Sequence, residues 1–356
     1  MNQEEIKKYL ITQNTSIKDA MKQSDLCGSK ILFVTDEDHL FIGSLSDGDI
    51  RRSILADGLL DKPVIEICNK KPYTVSDDYD IDDVKKLMLE MQLDCIPVVS
   101  SDNKITELLF WNTVLGSDKK KENKESISAP VVIMAGGKGT RLAPFTNILP
   151  KPLIPIGNKT VLEIIMDKFQ EHDVKKFYLT VNYKSRIIKY YLEELMPDFN
   201  VEFIDEDQPL GTAGSLRLLK GKMNECFIVT NCDIIIDADY AEVLKYHITK
   251  ENDISMVVSL KHYKIPYGIC NIENGDNLVS ITEKPEFSYF INTGMYVLKP
   301  GVLDLIPENK FYHITDLIED VKAKGGKVGT YPISEKAWID TGEWEEYKKA
   351  IKLFDV

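Results

Sequence analysis

The sequence has six cysteines but no C-x-x-C pair, and its five histidines show no zinc-ligand spacing. Neither a disulfide framework nor a structural zinc site is expected. Reduced, mostly buried thiols and a cytoplasmic address are. No apolar run approaches the ~18 residues of a membrane span. The first ten residues, MNQEEIKKYL, are polar, so no secretory leader is expected. Positive charge is scarce: the formal net charge is −13 over 356 residues, which argues against nucleic acid as a general partner. Against that background Lys138, Arg141 and Lys151 stand out, because they gather on a glycine-rich stretch, MAGGKGTRLAPFTNILPKPLIPIG, at residues 134–157. An acidic chain that collects cations on a glycine loop is expected to meet an anion there.

The first third contains a repeat. SIKDAMKQ…KILFVTDEDHLFIGSLSDGDI is echoed by DIDDVKKL…CIPVVSSDNKITELLFWNTV. Ile17 corresponds to Ile81, Ile31 to Ile96 and Ile42 to Ile105, a period of 63 to 65 residues. Each copy reads as helix, strand, turn, strand, helix. In the second copy Ile81, Val84, Leu87, Met88 and Met91 share one helical face, with Asp80 as N-cap. This pattern resembles a tandem pair of CBS domains over about residues 10–116, a class that commonly binds adenine nucleotides. In GSLSDGDIRR the resemblance implies that Ser46 contacts phosphate and Asp49 the ribose diol. A carboxylate suits a diol because it can accept two hydrogen bonds. The second copy has Leu109 where the first has Ser46, so at most one well-formed nucleotide site is expected. A module that only dimerises fits the same residues. The polar GSDKKKENKESISAP that follows reads as a linker.

Beyond it, strand-like and helix-like patches alternate. VVIMA, FYLTVN and CFIVTNCD read as strands. VLEIIMDKF reads as a helix with Val161, Leu162, Ile165 and Phe169 inward. KSRIIKYYLEEL reads as another, with a stripe of Ile187, Ile188, Tyr191, Leu192 and Leu195. Such alternation argues for a mainly parallel sheet covered on both faces.

The glycine loop is not a Walker A loop, because no Gly-Lys-Ser/Thr ends it. It is not a dinucleotide fingerprint either, because Leu142 stands where the third glycine belongs. A dehydrogenase is disfavoured on that ground. What is present is G-G-x-G-T-R-L followed by P-K-P. Downstream, in order, come EDQPLGTAG (206–214), NCD (231–233), YG (267–268), EKP (283–285), NTG (292–294) and WIDTG (338–342). From about Pro130 to Phe354 the chain resembles the sugar-1-phosphate nucleotidyltransferases.

The resemblance implies a Rossmann-like α/β nucleotidyltransferase domain with a mainly parallel mixed sheet at 130–356. It would be preceded by an α+β CBS-pair domain at 1–117 and a linker at 118–129. The implied reaction joins a nucleoside triphosphate to a sugar 1-phosphate and releases pyrophosphate, with Mg²⁺ as cofactor. Ala135, Gly136, Gly137, Gly139 and Thr140 would cradle the triphosphate through backbone N–H groups. Arg141 would hold the departing pyrophosphate, Lys151 the reacting phosphates, and Asp233 and Asp340 the metal. Glu206, Pro209, Gly211 and Thr212 would surround the base. Gly268, Glu283, Asn292 and Thr293 would line the sugar pocket, and Lys284 would grip its phosphate.

The resembling enzymes for thymidine or uridine nucleotides often carry Gln shortly before the P-x-G turn; here the candidate position is Glu206, with Asp207 and Gln208 beside it as alternatives. A carboxylate accepts from N1–H and the 2-amino group of guanine and repels the acceptor edge of uracil, so GTP is favoured. The CBS fusion also resembles a narrower group, guanylyltransferases for glucosamine 1-phosphate or a related sugar phosphate in routes to legionaminic-acid-like surface sugars. UTP, dTTP or mannose 1-phosphate remain open as substrates. So does a nucleotide-sensing protein whose transferase domain has lost turnover. A homo-oligomer is expected, dimerising through the CBS or the catalytic domain.

Overall fold

The computed structural model describes residues 3–91, 93–114 and 124–354. It divides into two compact units: residues 1–122 with 262–288, and residues 123–261 with 289–356. The segment 262–288, which the sequence places in the transferase domain, thus groups with the first unit. Residues 118–123 of the expected linker lie outside the described residues. Its remainder is anchored to the second unit: Ile127 N–H donates to His172 O at 2.9 Å, and Ile127 is buried.

The first unit realises the repeat with a uniform period. Helices start at Ile17 and Ile81 and strands at Ile31 and Cys95 and at Phe41 and Ile105, so every offset is 64 residues. Helix Ile17–Cys27 is N-capped by Ser16. In helix Ile81–Met91 the Asp80 carboxylate accepts the Asp82 N–H at 2.7 Å, as a capping side chain does. Its apolar stripe is narrower than the pattern suggests. Val84 and Met88 are buried, whereas Ile81 and Met91 are exposed, because only about one side of so short a helix meets the sheet. Phe33 of the first copy packs with Cys95 and Leu108 of the second. Strands Ile269–Glu273 and Asn277–Thr282 form an antiparallel hairpin in the 262–288 segment.

The second unit is built on seven strands: β1 (Val131–Met134), β2 (Lys176–Val181), β3 (Asn200–Asp205), β4 (Phe227–Asn231), β5 (Ile254–Lys264), β6 (Glu286–Leu298) and β7 (Val328–Ile333). Their spatial order is β3-β2-β1-β4-β6-β5-β7. The junctions β3–β2, β2–β1, β1–β4 and β5–β7 are parallel, and β4–β6 is antiparallel. This is the mainly parallel mixed sheet expected. Val131, Val132 and Ile133, and Phe227, Ile228 and Val229, are each fully buried, because central strands covered on both faces have no polar side. Helix Val161–Gln170 opens with a Thr160–Glu163 capping box and buries Val161, Leu162, Ile165 and Phe169. Helix Ser185–Leu195 buries Ile188 and Leu192 but leaves Ile187 and Leu195 exposed, so its stripe too is narrower than expected. Among the described residues no helix is long and apolar enough to cross a membrane.

Candidate active site

The glycine loop leaves β1 at the end of the sheet where β4 also finishes, the position where parallel α/β sheets present their ligands. Ala135 is buried and its N–H donates to Thr180 O at 2.9 Å. Gly136 is there for space: a Cβ on it would stand 2.6 Å from Glu206 Oε1. Gly137 has no atom within 4 Å of such a Cβ and is exposed, so its backbone is open to a ligand. Gly139, at φ +65°, starts the 3₁₀ turn Thr140–Leu142 and lies against the stem of Lys151. That turn presents Arg141.

The two aspartates are 107 positions apart in sequence (340 − 233). A short antiparallel pair, Ile234–Ile236 with Trp338–Asp340, sets Ile234 opposite Asp340. Thr341 then donates both its N–H and its hydroxyl to Asp233 O, each at 2.8 Å. A Cβ on Gly342 would stand 2.5 Å from Asp233 Oδ2, 2.9 Å from Asp340 Oδ1 and 3.0 Å from Lys151 Nζ, so all three groups face one point. The Lys151 ammonium pairs with Asp233. Arg141 Nη2 lies 4.0 Å from Asp233 Oδ2, and its Nη1 pairs with Glu343. Burial and then the neighbouring Asp233 charge raise the Asp340 carboxyl above the ordinary carboxylate range. Two crowded hard-oxygen ligands of this kind fit a Mg²⁺ ion, which takes one or two carboxylates and completes its shell with phosphate and water.

Arg141, Asp233 and Asp340 open on a hollow of about 190 Å³ lined also by Thr212, Asn231, Asn292, Thr293 and Trp338. Several of its polar groups are already engaged. Thr212 Oγ1 accepts Ile314 N–H at 3.0 Å, Thr293 Oγ1 donates to Val257 O at 2.8 Å, and Asn292 Nδ2 donates to the Tyr296 hydroxyl at 2.6 Å. Asn292 and Thr293 therefore shape the wall through the frame that holds them. Pro209 leads into Gly211, at φ +81° and close against Tyr312 O. Glu206 is buried and its carboxyl is raised by that burial; Oε2 accepts Leu210 N–H at 3.2 Å. Cys232, next to Asp233, is buried and its thiol is pushed up to about 12, mainly by burial.

Gly268, Glu283 and Lys284 belong to the segment grouped with the first unit, where a Cβ on Gly268 would stand 2.9 Å from Glu283 Oε2. Lys284 is exposed, at φ +45°. Ser46 and Asp49 form a capping box on helix Asp47–Asp57, with Asp49 Oδ2 accepting Ser46 N–H at 2.8 Å and Oδ1 paired with Arg52. The sequence reading missed Glu343, although it directly follows WIDTG. It also missed Trp338, whose indole N–H donates to Thr293 O at 3.2 Å, and Asn231, whose amide would meet a Cβ on Gly294. Both stand inside quoted motifs. A larger hollow of about 530 Å³ lies by Cys226, Lys299 and Val321, at the other ends of the strands and away from these motifs.

The family described as Nucleotidyl transferase matches residues 130–355, well over half of the chain. The chain belongs to this family. The CBS domain family matches residues 64–109. "Probable mannose-1-phosphate guanylyltransferase 1" of Oryza sativa subsp. japonica is 28% identical over 232 residues, 63% of this chain and 64% of that protein. "Mannose-1-phosphate guanyltransferase" of Schizosaccharomyces pombe is 32% identical over 63% of each. "Bifunctional protein GlmU" of Methanocaldococcus jannaschii is 31% identical over 60% of this chain and 52% of that protein. The chain thus spans less than two thirds of the curated relatives it matches. The crystal structure of HddC from Yersinia pseudotuberculosis complexed with GMP-PN aligns at a TM-score of 0.51 with 26% identity, covering 64% of this chain and 99% of that one.

Proposed function

We propose that this nucleotidyltransferase-family chain transfers a nucleoside monophosphate from a nucleoside triphosphate to a sugar 1-phosphate. The observation that carries the reading is the meeting of Asp233, Asp340, Lys151 and Arg141 beside the glycine loop. A phosphate oxygen of the sugar phosphate attacks the α-phosphorus, and the bond to the β-phosphate oxygen breaks as pyrophosphate leaves with the electron pair. The attacking oxygen is already ionised near neutral pH, so no general base is required. The work is alignment and charge neutralisation. Lys151 neutralises the reacting phosphates and Arg141 the departing pyrophosphate. Asp233 and Asp340 would hold Mg²⁺, which would supply positive charge at the phosphates.

GTP is the preferred triphosphate. Glu206, beside Gly136, would accept from N1–H and the 2-amino group of guanine, and relatives named as guanylyltransferases support this. Glucosamine 1-phosphate or a related sugar phosphate, for legionaminic-acid-like glycans, is the acceptor that the CBS fusion supports. The CBS module takes an adenine nucleotide at Asp49, displacing Arg52. A hollow of about 340 Å³ lined by Asp49, Arg52 and Lys62 supports that reading. We assign a homo-oligomer, checked by sedimentation.

The test mixes the protein with Mg²⁺, each of GTP, ATP, UTP, CTP and dTTP, and hexose and aminohexose 1-phosphates, and follows pyrophosphate. Release is expected first with GTP. Silence across the panel sinks the reading in favour of a nucleotide sensor. Calorimetry with AMP, ADP and ATP on wild type and Asp49→Ala tests the CBS site, and equal binding by both removes Asp49 from it.

A further inference from the structure

Arg141 is held by a carboxylate that no step above uses. Its Nη1 pairs with Glu343, 202 positions away in sequence. Glu343 stands immediately before helix Trp344–Phe354 and its carbonyl accepts Tyr347 N–H at 2.8 Å, so the helix begins on it. Two contacts fix that helix end. The Trp344 ring packs on Phe145, four residues after Arg141, with centroids 5.2 Å apart, and the Tyr347 hydroxyl donates to Pro155 O at 2.6 Å. The backbone that carries Glu343 is therefore anchored, while Arg141 sits on a short turn, and the two side chains are similarly exposed, 51% and 56%.

Charge accounting gives this pair a role. Asp233 has Lys151 as its partner, and Asp340 Oδ1 accepts Gly342 N–H at 2.8 Å. The guanidinium is then left to Glu343, with Asp233 further off. An exposed ion pair of this kind is worth about 0–1 kcal/mol, so it can be exchanged. Two phosphate groups offer the guanidinium bidentate, charge-assisted hydrogen bonds, which are stronger.

We propose that Glu343 is a positioning residue that holds the Arg141 guanidinium beside the two aspartates while no polyphosphate is bound, and competes with pyrophosphate and the triphosphate tail for it. The proposal rests on the nucleotidyl-transfer reading. It goes beyond that reading in giving Glu343 a negative effect on polyphosphate affinity, and hence a part in releasing the product.

Calorimetry with inorganic pyrophosphate and Mg²⁺ on the full chain tests it. Glu343→Gln keeps the shape and removes the charge, and is expected to tighten pyrophosphate binding about two- to fivefold, the size of an exposed ion pair. Glu343→Asp keeps the charge and is expected nearer to wild type. Arg141→Ala is expected to weaken binding by roughly tenfold or more, as loss of a charged hydrogen-bonding partner does. A merely structural Glu343 would weaken binding when replaced, so tightening is the decisive sign. Unchanged or weaker binding by Glu343→Gln, with Arg141→Ala still weakened, overturns the proposal and leaves the transfer reading standing. Equal tightening by Gln and Asp also overturns it. Wild type that binds pyrophosphate no better than Arg141→Ala overturns both.

Discussion

The N-terminus of helix Asp47–Asp57 and the loop cluster around Asp233 are built from the same kinds of group and use them differently. In the first, Ser46, Asp49 and Arg52 satisfy one another within the first two helical turns. In the second, Lys151 meets Asp233 across 82 positions and Arg141 meets Glu343 across 202. The local set exists as soon as the helix does, so its energy goes into the helix. The distant set exists only after the whole sheet is assembled, and it leaves two carboxylates crowded against each other. Crowded like charges destabilise a fold, and a divalent cation between them would relieve the repulsion.

The largest effect expected from this contrast is on turnover. Asp233→Asn and Asp340→Asn should each lower kcat for pyrophosphate release by about 10²–10³-fold, the range for removing one group that stabilises transition-state charge. Far-ultraviolet circular dichroism should be unchanged. If either variant keeps full activity, that residue is not part of the phosphate site, and the contrast loses its catalytic half. Gly342→Ala sharpens the same point without touching a charge. Its Cβ would enter the space shared by both carboxylates and Lys151, so kcat should fall by about tenfold or more with the fold retained.

How far each region is legible in the sequence follows the same division. The capping box is local, and Ser46 and Asp49 three residues apart announce it. The sequence reading saw the pair and left a nucleotide contact and a purely structural role both open, because spacing alone does not say whether a carboxylate faces its own helix or a ligand. The strands around the glycine loop were legible because buried parallel strands are uninterrupted apolar runs. The convergence of Asp233 with Asp340 was not, since it depends on the two short strands that follow and precede them. Glu343 was missed for the same reason. Its partner lies 202 positions away, and nothing in its neighbours' spacing points there. Helix edges such as Ile187 and Met91 were overread, because a periodic stripe gives the direction of burial but not its width.

A smaller effect is expected at Glu206, the proposed base reader. Burial raises the Glu206 carboxyl above the ordinary ~4.3 of a glutamate. A protonated carboxyl loses acceptor capacity, so as pH falls through this raised pKa the KM for GTP should rise while the KM for UTP does not. Glu206→Gln should narrow the GTP-over-UTP preference by roughly tenfold, about the worth of one hydrogen bond to a charged group. Initial rates at several pH values read both. A GTP preference that ignores pH and survives Glu206→Gln would remove Glu206 from base recognition.

Thermal stability separates the metal site from the rest. A carboxyl with a raised folded pKa, like that of Asp340, contributes stability that is present at low pH and lost as pH rises through that pKa. Mg²⁺ bound between the two aspartates should restore it. The unfolding midpoint should therefore rise with Mg²⁺ at neutral pH, and the rise should fade as pH drops through the Asp340 pKa. A Mg²⁺ shift that is equal at both pH values, or that persists in Asp233→Asn, would place the ion elsewhere.

The smallest effect belongs to the local set. Ser46→Ala removes the oxygen that accepts Asp49 N–H at 3.2 Å and leaves that donor to water. N-cap losses of this kind cost about 1 kcal/mol, and in a unit of this size that lowers the melting midpoint by roughly 2–4 °C. The change should appear in the transition of the first unit, followed by calorimetry, because the capping box is made entirely within one helix. The equivalent exchange in the second unit, Thr160→Ala, removes the cap of helix Val161–Gln170 and should shift the other transition by a similar amount. If both variants move both transitions together, the two units unfold as one. The separation between a locally satisfied region and a globally assembled one would then hold for the charges but not for the stability of the chain.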